Sequence, residues 1–299
     1  MGERSEKSAR LDRQIREAME KYPHSQNILQ AFREILLERN RLVEDNACMG
    51  VDLSRVDRIR LQAGVSVSRQ AALFHPDEPW KQLALSVIPS VRSGLPSLAE
   101  DLSKIEEGVR GGSLEPRDYF SAFPELDEQI LENWANVLNI RHETLRLLLT
   151  CMLRPALEMK AMGIGGKLGD FTWNKGFCPF CGAFPDMAVI KDKITERWLH
   201  CSQCRHEWRF NRVLCPYCEH EGKEEGVTYF FVEGKEQETA FVCEKCRRYL
   251  ITLNRVSDLG DRNFDVLSMG LAHLDMIMQE KGYVPVAFNE WNDFRSEEP

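Results

Sequence analysis

Four Cys-x-x-Cys pairs fall within 69 residues of this chain: Cys178/Cys181, Cys201/Cys204, Cys215/Cys218 and Cys243/Cys246. The intervals run C-x2-C-x19-C-x2-C, ten residues, then C-x2-C-x24-C-x2-C. A two-residue gap lets both sulfurs of one tight turn face one ion. Two such turns brought together make the tetrahedral thiolate cage that suits zinc or a single iron. The spacing therefore predicts two metal ions per chain, held by these eight cysteines.

Two arrangements satisfy the spacing. Sequential pairing puts Cys178, Cys181, Cys201 and Cys204 on one ion and Cys215, Cys218, Cys243 and Cys246 on the other. A cross-braced arrangement joins the first pair with the third and the second with the fourth. Sequential pairing is favoured, because each half is then a self-contained stretch of 27 or 32 residues. Cys215-Pro216-Tyr217-Cys218 taken alone matches a glutaredoxin tetrapeptide. A redox dithiol of that kind opens a helix after a strand, however, and here strand signals lie on both sides. Cys48 and Cys151 stand apart and read as small apolar residues within helical patterns.

Nothing in the bulk composition asks for disulfides. At 299 residues, 43% of them hydrophobic, the chain is long enough to bury ordinary cores. No apolar run is long enough to span a membrane and no secretory signal is visible, so the expected location is the cytoplasm. The cysteine region, residues 171–255, holds 13 Lys and Arg against 12 Asp and Glu, while the whole chain is at −8. A nucleic-acid ribbon wants a basic face, and this balance makes nucleic acid an unlikely partner.

Hydrophobic periodicity divides the chain. Residues 9–22, Ser25–Asn46, Leu98–Glu107, Leu126–Leu138 and Glu143–Met162 have apolar residues at helical steps, with Pro155 expected to kink the last or sit at a break. Glycines then crowd residues 163–169, in a pattern that matches no phosphate loop. Beyond them come short strand signals: Met187–Ile190, Arg197–His200, Glu207–Val213, Val227–Val232, Glu238–Val242 and Tyr249–Leu253. After Asn263 one apolar helix is expected to run to Gly282. The predicted fold class is α+β: a helical N-terminal domain, two small rubredoxin-like or zinc-ribbon-like metal modules and a C-terminal helix. The expected divisions are 1–162 helical, 163–175 linker, 176–210 first module, 211–255 second module and 256–299 helix and tail.

No H-E-x-x-H, nucleophile elbow or carboxylate pair is visible, so no catalytic and no organic-cofactor residues are assigned, and the chain is not expected to be an enzyme. His200, next to Cys201, is expected to hydrogen-bond a thiolate.

Leu199-His200-Cys201-Ser202-Gln203-Cys204-Arg205-His206-Glu207-Trp208, followed by Arg212 and Cys215-x-x-Cys218, resembles the core signature of the formate dehydrogenase accessory protein family, FdhE. Cys178-Pro179-Phe180-Cys181-Gly182 and Cys243-Glu244-Lys245-Cys246-Arg247-Arg248-Tyr249-Leu250 are similar to its flanking motifs. So is the tail with Asp261, Asp265, Leu274-Asp275 and Glu280-Lys281-Gly282-Tyr283. The likeness covers residues 176–290, and the helical half agrees in length and character. His206 departs from the small hydroxyl residue that often stands there. The resemblance implies a cytoplasmic assembly factor whose modules hold iron, with zinc also possible. It further implies a partner: the catalytic subunit of a respiratory, molybdenum-cofactor-containing formate dehydrogenase before its export by the twin-arginine pathway. Two other readings stay open from the residues themselves, a zinc-ribbon nucleic-acid-binding protein and a small iron-based electron carrier.

Overall fold

A computed structural model describes residues 2–45, 48, 50–164, 167, 171–191, 196–221, 226–256 and 260–294, with the side chains of residues 2–5 excepted. Most of the glycine-rich stretch expected to be a linker lies outside the described residues. Eight helices come first: α1 (Gly2–Lys21), α2 (Gln26–Asp45), α3 (Arg58–Gln62), α4 (Trp80–Gly94), α5 (Ala99–Gly111), α6 (Pro116–Phe120), α7 (Glu128–Leu138) and α8 (His142–Ile164). Strands β1 (Pro185–Lys191), β2 (Arg197–Cys201), β3 (Glu207–Phe210), β4 (Val227–Phe231), β5 (Glu238–Cys243) and β6 (Arg248–Val256) follow. Then come α9 (Phe264–Gly270), α10 (Ala272–Glu280) and a short β7 (Val284–Pro285). None of the described helices is long and apolar enough to cross a membrane.

Two compact units emerge, and they interleave along the chain. One takes residues 1–12, 30–57 and 67–169; the other takes 13–29, 58–66 and 170–299.

In the helical unit, α4 packs against α5 and α8. Its buried stripe of Leu83, Ala84, Val87, Ile88 and Val91 meets the needs of a core-facing helix. Phe74, Trp80 and Phe120 cluster at one end, with Trp80 and Phe120 stacked 4.2 Å apart. Asp101 anchors the start of α8, accepting hydrogen bonds from Arg141 Nε (2.7 Å) and Thr144 Oγ1 (2.8 Å). Asp127 caps α7 through the Gln129 N–H. The kink expected at Pro155 does not break α8, which is one continuous helix with Pro155 inside it. Glu78 and Lys160 form a fully buried ion pair, and the Cys48 thiol beside them is pushed up to about 12 by burial and by the Glu78 charge. Cys48 thus lies past the end of α2 and beside a charged pair, not on a plain apolar helix face.

The second unit is built on one sheet, in the order β3-β2-β1-β6-β5-β4, with β7 on the side of β6. Neighbours pair antiparallel except for β1–β6 and β6–β7, which are parallel. The β1–β6 ladder sets Met187 opposite Ile251 and Val189 opposite Leu253. Each cysteine module contributes three strands, and this one parallel seam joins the two meanders into a continuous sheet. Burial follows: β5 is buried at every position, while edge strand β3 alternates. That edge strand ends at Phe210, short of the expected Val213.

The expected C-terminal helix is two helices, with Leu271 between α9 and α10. Asn263 caps α9 by accepting from the Asp265 and Val266 N–H groups. Tyr249 on β6 donates to Asp275 Oδ1 at 2.7 Å, tying α10 to the sheet. The chain after α10 is also held: Trp291 is buried and donates to Ser268, and Gln279 accepts from the Phe294 N–H. Tyr22, the residue just after α1, donates to Glu238 at 2.6 Å. Its ring lies where a Cβ on Gly270 would come within 2.6 Å.

Candidate metal centres

Each cysteine pair sits in a tight reversal of the backbone, and the four reversals share one construction. In the first, Gly182 N–H donates to Cys178 O (3.0 Å) and Cys178 N–H to Ala183 O (2.8 Å). The third repeats it, with Glu219 N–H on Cys215 O and Cys215 N–H on His220 O. The residue after the second cysteine of each pair is left-handed: Gly182 (φ 82), Arg205 (φ 57), Glu219 (φ 55) and Arg247 (φ 56). Only the first is glycine, so the other three hold a conformation that costs roughly 1–2 kcal/mol. Strain that recurs at the same point of three turns is imposed by the cage they build. Arg205 is held by an ion pair with Asp265, and Arg247 stacks on Tyr283 at 3.8 Å.

The sulfurs group as Cys178, Cys181, Cys201 and Cys204, and as Cys215, Cys218, Cys243 and Cys246, each set within 4.8 Å. This is the sequential arrangement. Cys178 is 3.5 Å from Cys204 and Cys181 is 3.4 Å from Cys201. In the second set Cys215–Cys246 and Cys218–Cys243 are both 3.7 Å. A tetrahedral ion with metal–sulfur bonds near 2.3 Å has sulfurs roughly 3.8 Å apart. A disulfide needs about 2.05 Å. The geometry fits a four-coordinate ion and not paired disulfides, and all eight thiols are free.

Electrostatics agree with that fit. Burial disfavours ionisation of Cys178, yet hydrogen bonds from Cys181, Cys201 and Cys204 hold it well below an ordinary thiol. Burial, and hydrogen bonds within the set, push Cys181 and Cys204 well up. In the second set burial raises Cys215 to about 11. Cys218 is lowered against its own burial by the His220 N–H and the neighbouring thiols. Cys178 and Cys218 thus take the negative charge readily, whereas Cys181 and Cys204 in the first cage and Cys215 and Cys246 in the second resist joining them. A divalent cation removes that resistance, and its binding releases the remaining protons.

The two cages differ in exposure. All four cysteines of the first are buried, whereas Cys218 and Cys246 of the second are half-buried. They are also packed tightly together. An added Cβ on Gly176 would lie 1.8 Å from the Pro216 carbonyl oxygen, so the approach to the first turn rests directly on the second cage's own turn. Phe177, Phe184 and Tyr217 continue that contact as a run of rings, with Arg248 3.8 Å over Tyr217.

His200 does not turn to a thiolate as expected. Its Nδ1 lies 3.3 Å from buried Asp186, and its ring stacks on Phe264 at 4.1 Å. On β2 its side chain points to the helix-covered face, where Asp186 also meets Asn289. Strand alternation could have found this, since His200 follows buried Leu199 and must face the other side.

Comparison with known proteins places this arrangement. Residues 177–212 match the family model described as FdhE, central domain. The chain is 26% identical over 276 residues to a protein FdhE homolog from Aquifex aeolicus, covering 90% of each chain. It is also 26% identical to a protein FdhE homolog from Proteus mirabilis, covering 86% of this chain and 78% of that one. The crystal structure of the FdhE protein from Pseudomonas aeruginosa superposes with a TM-score of 0.61 at 20% identity, over 94% of both chains. That last likeness is one of fold.

Proposed function

We propose that this chain, which is similar to FdhE proteins along most of its length, is a formate dehydrogenase accessory protein acting by binding. Its client is the catalytic subunit of a respiratory formate dehydrogenase, met in the cytoplasm during assembly. The eight cysteines hold two metal ions as four-coordinate thiolate sites, one in Cys178, Cys181, Cys201 and Cys204 and one in Cys215, Cys218, Cys243 and Cys246. Iron is the reading we favour for the ion, with zinc as the alternative. Either supplies a fixed positive centre around which the small modules order. The observation that carries the proposal is the pair of cages packed turn to turn on one sheet, in a chain matching FdhE relatives along most of its length.

In structural terms the helical region, the two modules and the C-terminal helices are the working parts. The second module offers the client surface, because its cage is the more exposed and Tyr217 and Arg248 stand beside it. Such side chains are favoured as interface anchors. The test is an affinity capture from the native host with metal analysis of the anaerobically purified chain, paired with a gene deletion. The catalytic subunit should be captured, and the deletion should lower formate dehydrogenase activity while its transcript stays constant. Normal activity with altered transcript would sink the proposal in favour of a nucleic-acid role.

A further inference from the structure

Two histidines that the metal sites do not use meet where the chain leaving α1 touches the corner between α9 and α10. Tyr22 lies against Gly270, and the 3-10 turn Pro23–Ser25 follows it. The Gly270 carbonyl accepts from Ser25 Oγ at 3.2 Å and lies 3.2 Å from His24 Nε2. His24 meets His273 of α10 edge-on, with ring centroids 4.5 Å apart. Both ring nitrogens of His273 are buried without a hydrogen bond. All of these residues belong to the sheet unit.

A proton on His273 would find little to welcome it. Lys235, in the connection from β4 to β5, opposes the charge, as does His24; Glu238 of β5 favours it. Glu238 is already engaged, however, by Tyr22 at 2.6 Å and Lys21 at 2.9 Å. The Gly270 carbonyl favours the charged ring too, but Ser25 and His24 share it. On α10 itself, Asp275 turns to Tyr249 of β6 and is pushed up to about 8 by burial, so in acid it offers no counter-charge. Asp265 of α9 is paired with Arg205, and β7 carries no charge. Burial, then His24 and Lys235, hold His273 down at about 4, well below a free histidine at about 6.5. Lys21 and Tyr22 also line two cavities, about 360 Å³ toward residues 234–238 and about 140 Å³ toward Asn263, Val266 and Leu267, so little packing backs these polar contacts.

We propose that this junction is a pH-sensitive clasp, which acid opens by protonating His273 and so releasing Tyr22–Ser25 from the corner between α9 and α10. The sign follows from linkage. A histidine held below its free value favours the closed form in full above about pH 6.5, and that advantage is lost as pH falls toward 4. Between pH 7.5 and 5 the open-to-closed ratio rises about thirtyfold. Glu238 acts at lower pH: against its own burial, hydrogen bonds from Tyr22 and Lys21 hold its carboxyl below the usual carboxylate range. The clasp is independent of both cages and of the client assigned above.

The test uses the full-length, metal-loaded chain. Amide hydrogen exchange read by mass spectrometry gives protection factors for residues 18–27 and 270–275 at pH 7.5 and pH 5. Proton NMR follows the histidine rings, with His273 assigned as the signal missing from His273→Phe. That variant keeps a ring against His24 and cannot titrate. On acidification the parent's protection in both segments should fall about thirtyfold, and that of His273→Phe by no more than about threefold. In the parent, His273 should titrate near 4. Any metal lost in acid would lower protection in parent and variant alike, so their difference isolates the clasp. Three results would each overturn the proposal: parent protection that does not change with pH; an equal fall in the variant; or a His273 signal titrating at the free value or above. Should His273→Phe not fold, His273→Gln takes its place, and the parent's own titration still decides.

Discussion

Gly176→Ala is the substitution that tests the packing of cage on cage. The new methyl would sit 1.8 Å from the oxygen and 2.4 Å from the carbon of the Pro216 carbonyl. Ordinary carbon–oxygen contact needs roughly 3.3 Å, so one turn must retreat by about 1.5 Å, and neither side is a side chain that could rotate away. Overpacking of this kind costs about 1–3 kcal/mol, and a contact between two backbones belongs at the top of that range. Replacing glycine also stiffens the unfolded chain, which returns about 0.4–1 kcal/mol. The net expectation is a loss of about 2 kcal/mol, or roughly a thirtyfold drop in the folded-to-unfolded ratio. Urea unfolding of the metal-loaded protein, followed by circular dichroism, reads this as a midpoint lowered by about 1 M. Because Pro216 lies between Cys215 and Cys218, the second cage should also lose its metal faster. Gly163→Ala is the matched control: it lies in α8 with nothing within 4 Å of the added carbon, and it should gain about 0.5–1 kcal/mol. A Gly176→Ala midpoint equal to that of the parent, with unchanged metal release, would show that the two turns are not in rigid contact.

Serine at both Cys178 and Cys181 should leave about one metal equivalent per chain, measured by elemental analysis; loss of both would contradict the sequential grouping. A chelator should strip the second cage before the first, since Cys218 and Cys246 are the half-buried sulfurs, and a release trace in which both sites empty together would count against that. Asp275, raised to about 8 by burial first and then by the Asp186 charge, is protonated in the fold. Its folded value lies above the unfolded one near 3.9, so its contribution is full below about pH 4 and is lost as pH rises toward 8. Asp275→Asn should therefore stabilise increasingly between pH 5 and 8, and parallel stability curves for variant and parent across that window would refute the assignment.

The eight cysteines and their grouping in fours were legible because a two-residue gap fixes a turn and near-equal halves favour local pairing. The strands were legible too, since β-branched and aromatic residues alternate between turns. The parallel seam of β1 and β6 was not: periodicity speaks only of neighbours along the chain, and Met187 and Ile251 belong to different modules. The left-handed turns at Arg205, Glu219 and Arg247 were hidden for a related reason. Only Gly182 signals that backbone by its identity, while the others are driven into it by the cage. The stripe of α4 is readable in Leu83, Val87 and Val91 although Pro89 within it resembles a stop; α4 runs through it, as α8 does through Pro155. The meeting of His24 with His273 needed two ends of the chain brought together, and no local pattern holds that.

The parallel seam also sets a timetable for a chain emerging from the ribosome. By Phe210 the first meander and all four of its sulfurs have been made, yet the strand that covers β1 is not finished until Val256, roughly 50 residues later. At about 5–20 residues per second that is an interval of roughly 2–10 s. Through it β1, buried at six of its seven positions in the finished protein, presents a bare and adhesive edge. Early capture of an ion by Cys178, Cys181, Cys201 and Cys204 would stiffen the nascent hairpin while it waits. A cell short of that ion would then lose the protein to aggregation during synthesis, before the second set of cysteines could matter.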